Sequence, residues 1–132
     1  MKKTIYRRGR VLHVDTPELK EAQALYMELL TPYRPAEPFT GPLGLTIAWA
    51  FPHLKSISRK RAVRFCWKDT SPDLDNCEKL LLDVMQKMGF FQNDGQIAYK
   101  TTKKIYTPSV PCIVIRISQL APEDALNPNF FP

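Results

Sequence analysis

Apolar side chains recur at Cys77, Leu80, Leu81, Val84, Met85 and Met88. This spacing of i, i+3, i+4, i+7, i+8 and i+11 marks one face of an α-helix. It predicts the clearest helix of the chain over residues 75–88, stopped by Gly89. An earlier helix is expected over residues 16–30, where Thr16 is a cap residue, Pro17 takes a first-turn position and acids follow. Pro32, Pro35 and Pro38 then break the chain into a linker. LGLTIAWAF, residues 43–51, is rich in apolar and β-branched residues and predicts a buried strand. The basic stretch PHLKSISRKR predicts an exposed loop, and AVRFCW, residues 62–67, a second short strand. Two more strands are expected at residues 96–106 and 111–119, joined through Pro108, Ser109 and Pro111 as an antiparallel hairpin. The pattern predicts an α+β fold, a small mixed sheet with two main helices.

A chain of 132 residues, 44% of them hydrophobic, can bury one core but not two, so a single domain is expected. We place it at residues 1–120, with 121–132 as a tail that lacks periodicity and is proline-rich. Cys66, Cys77 and Cys112 fit neither a disulfide framework nor zinc-knuckle spacing, and read as small core residues in a reducing compartment. The basic N-terminus is not followed by the apolar run of a secretory signal, and no stretch has the length of a membrane span. The expected location is cytoplasmic, with no membrane partner.

Charge changes this picture. The net charge is +6, and its distribution is uneven. Lys2, Lys3, Arg7, Arg8 and Arg10 occupy the first ten residues without an acid; Lys55, Arg59, Lys60, Arg61, Arg64 and Lys68 do the same between residues 38 and 68. Between 95 and 122 the charges are Lys100, Lys103, Lys104 and Arg116. Six of the 13 acids, Asp69, Asp73, Asp75, Glu78, Asp83 and Asp94, fall in one window. Basic surroundings hold phosphates, and a compact acidic cluster can hold a divalent cation. Solvated surface charge gives the same pattern.

Asp73 and Asp75 stand two apart at the entrance of the strong helix, where a loop can aim both carboxylates at one point, and Asp94 can add a third from the loop after the helix. Magnesium takes hard oxygen ligands and keeps several waters, so such a set suits it. Taken singly, each acid has a plainer reading. Asp75 with Glu78 resembles a capping box, and Asn-Asp-Gly at residues 93–95 is ordinary turn chemistry. Lys79 lies one turn beyond Asp75, and Asp83 one turn further, on the face opposite the apolar stripe. They can form exposed ion pairs, or Lys79 can neutralise charge at a reacting phosphate. His13 and His53 lack partners at ligand spacing, and no Walker loop, GxGxxG, GxSxG or HExxH occurs.

In combination, PDLDNCEKLLLDVMQKMGFFQNDGQI resembles the core motif of the RusA family of Holliday-junction resolvases. Asp73, Asp75, Asn76, Lys79, Asp83, Asp94 and Gln96 fall on motif positions, whereas Asn93 stands where many relatives have another Asp and Pro72 where some have a basic residue. The resemblance implies a dimeric endodeoxyribonuclease that uses magnesium, or manganese in its place. Asp73, Asp75 and Asp94 would be its metal ligands, Lys79 would assist at the phosphate, and Asn76 and Asp83 would be mainly structural. It implies branched DNA, especially four-way junctions, as partner, cut by paired symmetric nicks in recombination and repair. Phosphate contacts are expected from Arg59, Lys60, Arg61, Arg64, Lys68, Lys100, Lys103 and Lys104. Two other readings are a non-catalytic basic DNA-binding module and a nuclease acting on flaps or duplex.

Overall fold

The computed structural model describes the backbone of residues 2–8 and 19–126, and side chains from residue 22 to 126. The chain runs β1 (Lys2–Arg8), α1 (Leu19–Leu30), β2 (Leu43–Pro52), α2 (Arg59–Ala62), β3 (Cys66–Trp67), α3 (Leu74–Lys87), β4 (Ile97–Thr107) and β5 (Cys112–Gln119). The five strands form one mixed sheet in the order β1-β5-β2-β4-β3. The α+β expectation, with two main helices on a small mixed sheet, is what is observed; the start of the first predicted helix, residues 16–18, lies outside the described residues.

β2 is the centre of the sheet because its side chains suit burial on both faces. Leu43, Leu45, Ile47, Trp49 and Phe51 point to the helices and are at most 2% exposed, while the alternate positions are the small Gly44, Thr46, Ala48 and Ala50. Ile115 and Ile117 of β5, opposite Ile47 and Leu45, extend that face, and against it packs the predicted stripe of α3, whose Leu81 and Met85 are fully buried. α1 adds Ala22, Tyr26 and Leu30. The Trp49 indole N–H donates to the Tyr26 hydroxyl at 3.3 Å, joining the central strand to α1. Burial pushes the Tyr26 phenol up to about 12, with the Trp49 hydrogen bond pulling the other way.

The hairpin expectation is corrected. β4 and β5 do not pair: β2 lies between them, parallel to β4 (Thr46 opposite Thr101) and antiparallel to β5 (Thr46 opposite Arg116). Residues 108–111 cross the end of β2, a step of two strand spacings, or roughly 10 Å, which a four-residue link reaches. Proximity along the chain suggested a hairpin, but the most apolar strand took the central place.

The strand expected at 62–67 shrinks to Cys66–Trp67, because Ser58 starts a helical turn within the basic stretch, its side chain accepting from the Arg61 N–H. β1, whose composition shows only basic charge, pairs antiparallel with β5 along its whole length. Within the tail, residues Pro122–Leu126 form a 3-10 turn, with the Asp124 carboxylate accepting from Ala121 N–H at 2.8 Å; the rest of the tail lies outside the described residues. Among the described residues, no helix is long and apolar enough to cross a membrane.

Candidate active site

α3 has two built ends, and each presents acids. Asp73 is its N-terminal cap residue with extended backbone (φ −64°, ψ 145°), yet its side chain makes no capping hydrogen bond. Asp75 sits in the first turn, and both carboxylates are exposed. Because the cap position is Asp73 and Asp75 lies inside the first turn, Asp75 and Glu78 do not form the capping box that their spacing suggests. Glu78 is committed elsewhere: it pairs with Lys100 Nζ at 3.0 Å and accepts from the Thr102 hydroxyl of β4. Among the described residues this is the only ion pair, so Asp75, Lys79 and Asp83, all exposed, do not close the i,i+4 pairs that the spacing allowed.

The segment leading into Asp73 is held from below. The Lys104 ammonium, on β4, donates to the Thr70 carbonyl and to the Pro72 carbonyl (2.7 Å), and the Ser71–Pro72 peptide is cis. Lys68, 7% exposed, donates to the Thr70 hydroxyl (2.8 Å) and the Tyr106 hydroxyl (3.3 Å), with its ammonium 4.9 Å from the Phe51 ring centre and 4.8 Å from that of Tyr106. The Thr70 and Tyr106 hydroxyls share a hydrogen bond of 3.2 Å. That bond and the one from Lys68 lower the Tyr106 pKa, against the effect of burial. His53 stacks on the Tyr106 ring, 5.5 Å between centres; its Nε2–H donates to the Arg64 carbonyl (2.6 Å) and its Nδ1 is buried with no partner. Cys77, inside the first turn of α3, is pushed up to about 11 by burial, although Lys104 pulls it down, and is a core thiol as expected.

At the other end, α3 stops in a Schellman arrangement. Gly89, at φ +83°, donates to the Gln86 carbonyl and Phe90 N–H to the Met85 carbonyl. Phe90 and Phe91, both fully buried, anchor the turn that follows. There Asn93 caps a 3-10 turn, its side chain accepting from Gly95 N–H at 2.7 Å. The Gln96 side-chain oxygen accepts from the Gln92 and Asn93 N–H groups, and its amide donates to the Phe39 and Gly41 carbonyls. Gln86 accepts from Asp94 N–H at 3.0 Å. Every neighbour of Asp94 is thus tied down, while its carboxylate is exposed. Gln96, a motif residue, is a strut of this loop, and Asn93 serves as a cap.

The structure brings Asp73 and Asp75 together but not Asp94. The fourteen residues of α3 separate them, about 20 Å at 1.5 Å per residue. β4 gives a second ruler, since Asp94 precedes its first residue and Pro72 is bonded to its Lys104, roughly 23 Å along a strand. Among the described residues, no three His, Cys, Asp or Glu side chains converge on a metal-sized site.

Of the expected phosphate contacts, Arg59, Lys60, Arg61, Arg64 and Lys103 are exposed. Lys100 is paired with Glu78. The ammonium groups of Lys68 and Lys104 are engaged inside the chain, Lys68 with Thr70 and Tyr106 and the half-buried Lys104 with the Thr70 and Pro72 carbonyls. The polar cluster of Lys68, Thr70, Tyr106 and His53 was not foreseen. It depends on β3 lying beside β4, with Cys66 opposite Tyr106, which no local signal announces.

The family model for endodeoxyribonuclease RusA matches residues 2–118. Over 39 residues the chain is 44% identical to the crossover junction endodeoxyribonuclease rusA of Lactococcus phage r1t, a stretch that spans 30% of this chain and 30% of that protein. With the family model covering most of its length, the chain belongs to the RusA endodeoxyribonuclease family.

Proposed function

We propose that the protein is a magnesium-dependent endodeoxyribonuclease of branched DNA, acting on four-way junctions as a two-fold dimer, with residues 1–120 as its catalytic unit. The observation that supports this most is that Asp73, Asp75 and Asp94 are exposed carboxylates on rigidly held backbone, and Asp73 is not spent on capping its helix. A pair of hard oxygen donors open to solvent suits magnesium, which keeps several waters. Asp73 and Asp75 would hold the ion, with manganese an acceptable substitute.

Because Asp94 is a helix length away, it completes this set only from a second copy. A two-fold axis near the middle of α3 would lay the two helices antiparallel and bring the N-terminal end of each beside the C-terminal end of the other. The partner subunit's Asp94 would then face Asp73 and Asp75, and each dimer would carry two sites. A four-way junction, itself two-fold, presents two equivalent strands to them.

When bound, magnesium supplies positive charge beside the scissile phosphate. The chain contributes the rest. Lys79, exposed one turn after Asp75, places an ammonium where charge builds on the phosphoryl oxygens. Lys104 and Lys68 fix the 68–72 segment, and through it the position of Asp73. Water adds to phosphorus as the bond to the 3'-oxygen breaks, and that oxygen leaves with a proton, giving a 5'-phosphate and a 3'-hydroxyl. Arg59, Lys60, Arg61, Arg64 and Lys103 contact the DNA backbone. Such chemistry serves recombination and repair.

Subunit mixing tests the shared site. Asp73→Asn and Asp94→Asn proteins are each expected to be inactive. Mixed after subunit exchange, they form dimers with one intact site, and these should nick a junction on one strand without resolving it. Absence of any nicking from a mixture shown to contain mixed dimers would rule the shared site out.

A further inference from the structure

Large aromatic side chains stand exposed on a basic strip. Phe65 and Trp67 are 65% and 73% exposed, and Val63 just before them is 73% exposed. From Phe65 to Lys68 the side chains alternate in the manner of a strand: Phe65 and Trp67 outward, Cys66 against the core, Lys68 buried. Trp67 lies opposite Ile105, whose neighbours Lys104 and Tyr106 point to the helix side, so Trp67 occupies the face of the sheet opposite α1 and α3, at its β3 edge. Lys103, exposed, shares that face. Arg59, Lys60, Arg61 and Arg64 are all exposed in the preceding residues, and no acid occurs between Glu37 and Asp69. The bond from His53 to the Arg64 carbonyl brings the Leu54 turn, 56% exposed, to the same strip.

Exposed apolar surface of this kind marks a contact site. Contact with a second copy across a two-fold axis would set Arg59, Lys60, Arg61 and Arg64 against themselves, burying like charges without a carboxylate to offset them. Duplex DNA satisfies the charges but keeps the faces of its bases stacked inside. Unpaired nucleotides satisfy both requirements, since phosphates suit the guanidinium groups and bare base faces stack on aromatic rings.

We propose that this strip binds unpaired nucleotides, with bases stacked on Phe65 and Trp67 and phosphates held by Arg59, Lys60, Arg61 and Arg64. Trp67 is six residues before Asp73 in the chain, so the strip would serve bases freed at a branch point on which the candidate site acts. In that last respect the proposal rests on the junction reading; the binding itself needs neither metal nor cutting.

The test is made in EDTA with full-length protein, oligo(dT) and a blunt duplex as probes. The chain has two tryptophans, and Trp49 is fully buried, so the emission that a surface ligand quenches is that of Trp67. Oligo(dT) should quench it and duplex should not. Phe65→Ala and Trp67→Ala should each weaken oligo(dT) binding about tenfold, Trp67→Phe much less, with duplex binding nearly unchanged. Unchanged emission on adding oligo(dT), equal weakening for both probes, or conversion of a dimer into monomers by Trp67→Ala in sedimentation would each overturn the proposal. Loss of the nuclease reading would instead show as oligo(dT) binding without metal-dependent cutting.

Discussion

Replacing Asp73 with asparagine is expected to abolish cutting while leaving DNA binding equal or tighter. The substitution keeps the shape of the side chain and removes its charge, and asparagine is as good a helix cap as aspartate. Asp73 is exposed and makes no capping hydrogen bond, so the fold should lose little. What is lost is a hard anionic ligand, and a fall in single-turnover cutting on the order of a hundredfold or more follows. One negative charge fewer beside DNA phosphates favours binding, most visibly at low salt. Asp75→Asn should behave alike. Cutting by Asp73→Asn at the parental rate, measured on an end-labelled junction, would remove Asp73 from the site.

Trp49→Ala should have the largest effect on stability. The side chain is fully buried at the centre of the central strand, and truncating a buried tryptophan costs about 3–5 kcal/mol. The Tyr26 hydroxyl also loses its donor. For a chain of this size the midpoint of thermal unfolding should fall on the order of 10 °C. Tyr26→Phe leaves the indole N–H buried without an acceptor and should cost about 1–3 kcal/mol. Thermal or urea unfolding followed by circular dichroism reads both, and a Trp49→Ala protein as stable as the parent would contradict the packing described.

These expectations rest on features of unequal visibility in the sequence. α3 was legible because its burial follows its period: Cys77, Leu80, Leu81, Val84, Met85 and Met88 are all buried, as their spacing predicts. β2 was legible because a long apolar run leaves a strand few places but the centre. Strand order was not, since a connection of four residues fits a hairpin or a step across one strand equally well. β1 was masked by composition: its lysines and arginines say charge, and pairing along an edge requires only a backbone.

The site divides in the same way. Motif spacing put Asp73, Asp75 and Lys79 on one end of one helix, and helical geometry makes that legible. Asp94 is close in sequence to the end of α3, and only the straightness of that helix shows that its carboxylate is far from the other two. The internal bonding of Lys68 and Lys104 is hidden in the sequence because a lysine among arginines reads as surface; their partners, Thr70, Pro72 and Tyr106, come together only when β3 is laid beside β4.

The central claim is junction cleavage. It is tested most directly by incubating an end-labelled four-way junction with protein and magnesium, beside a linear duplex of the same arm sequence, and resolving the products on a denaturing gel. Paired cuts at symmetric positions in the junction, lost with EDTA and absent from the duplex, are the predicted result; an intact junction under conditions where the protein binds it would contradict the account.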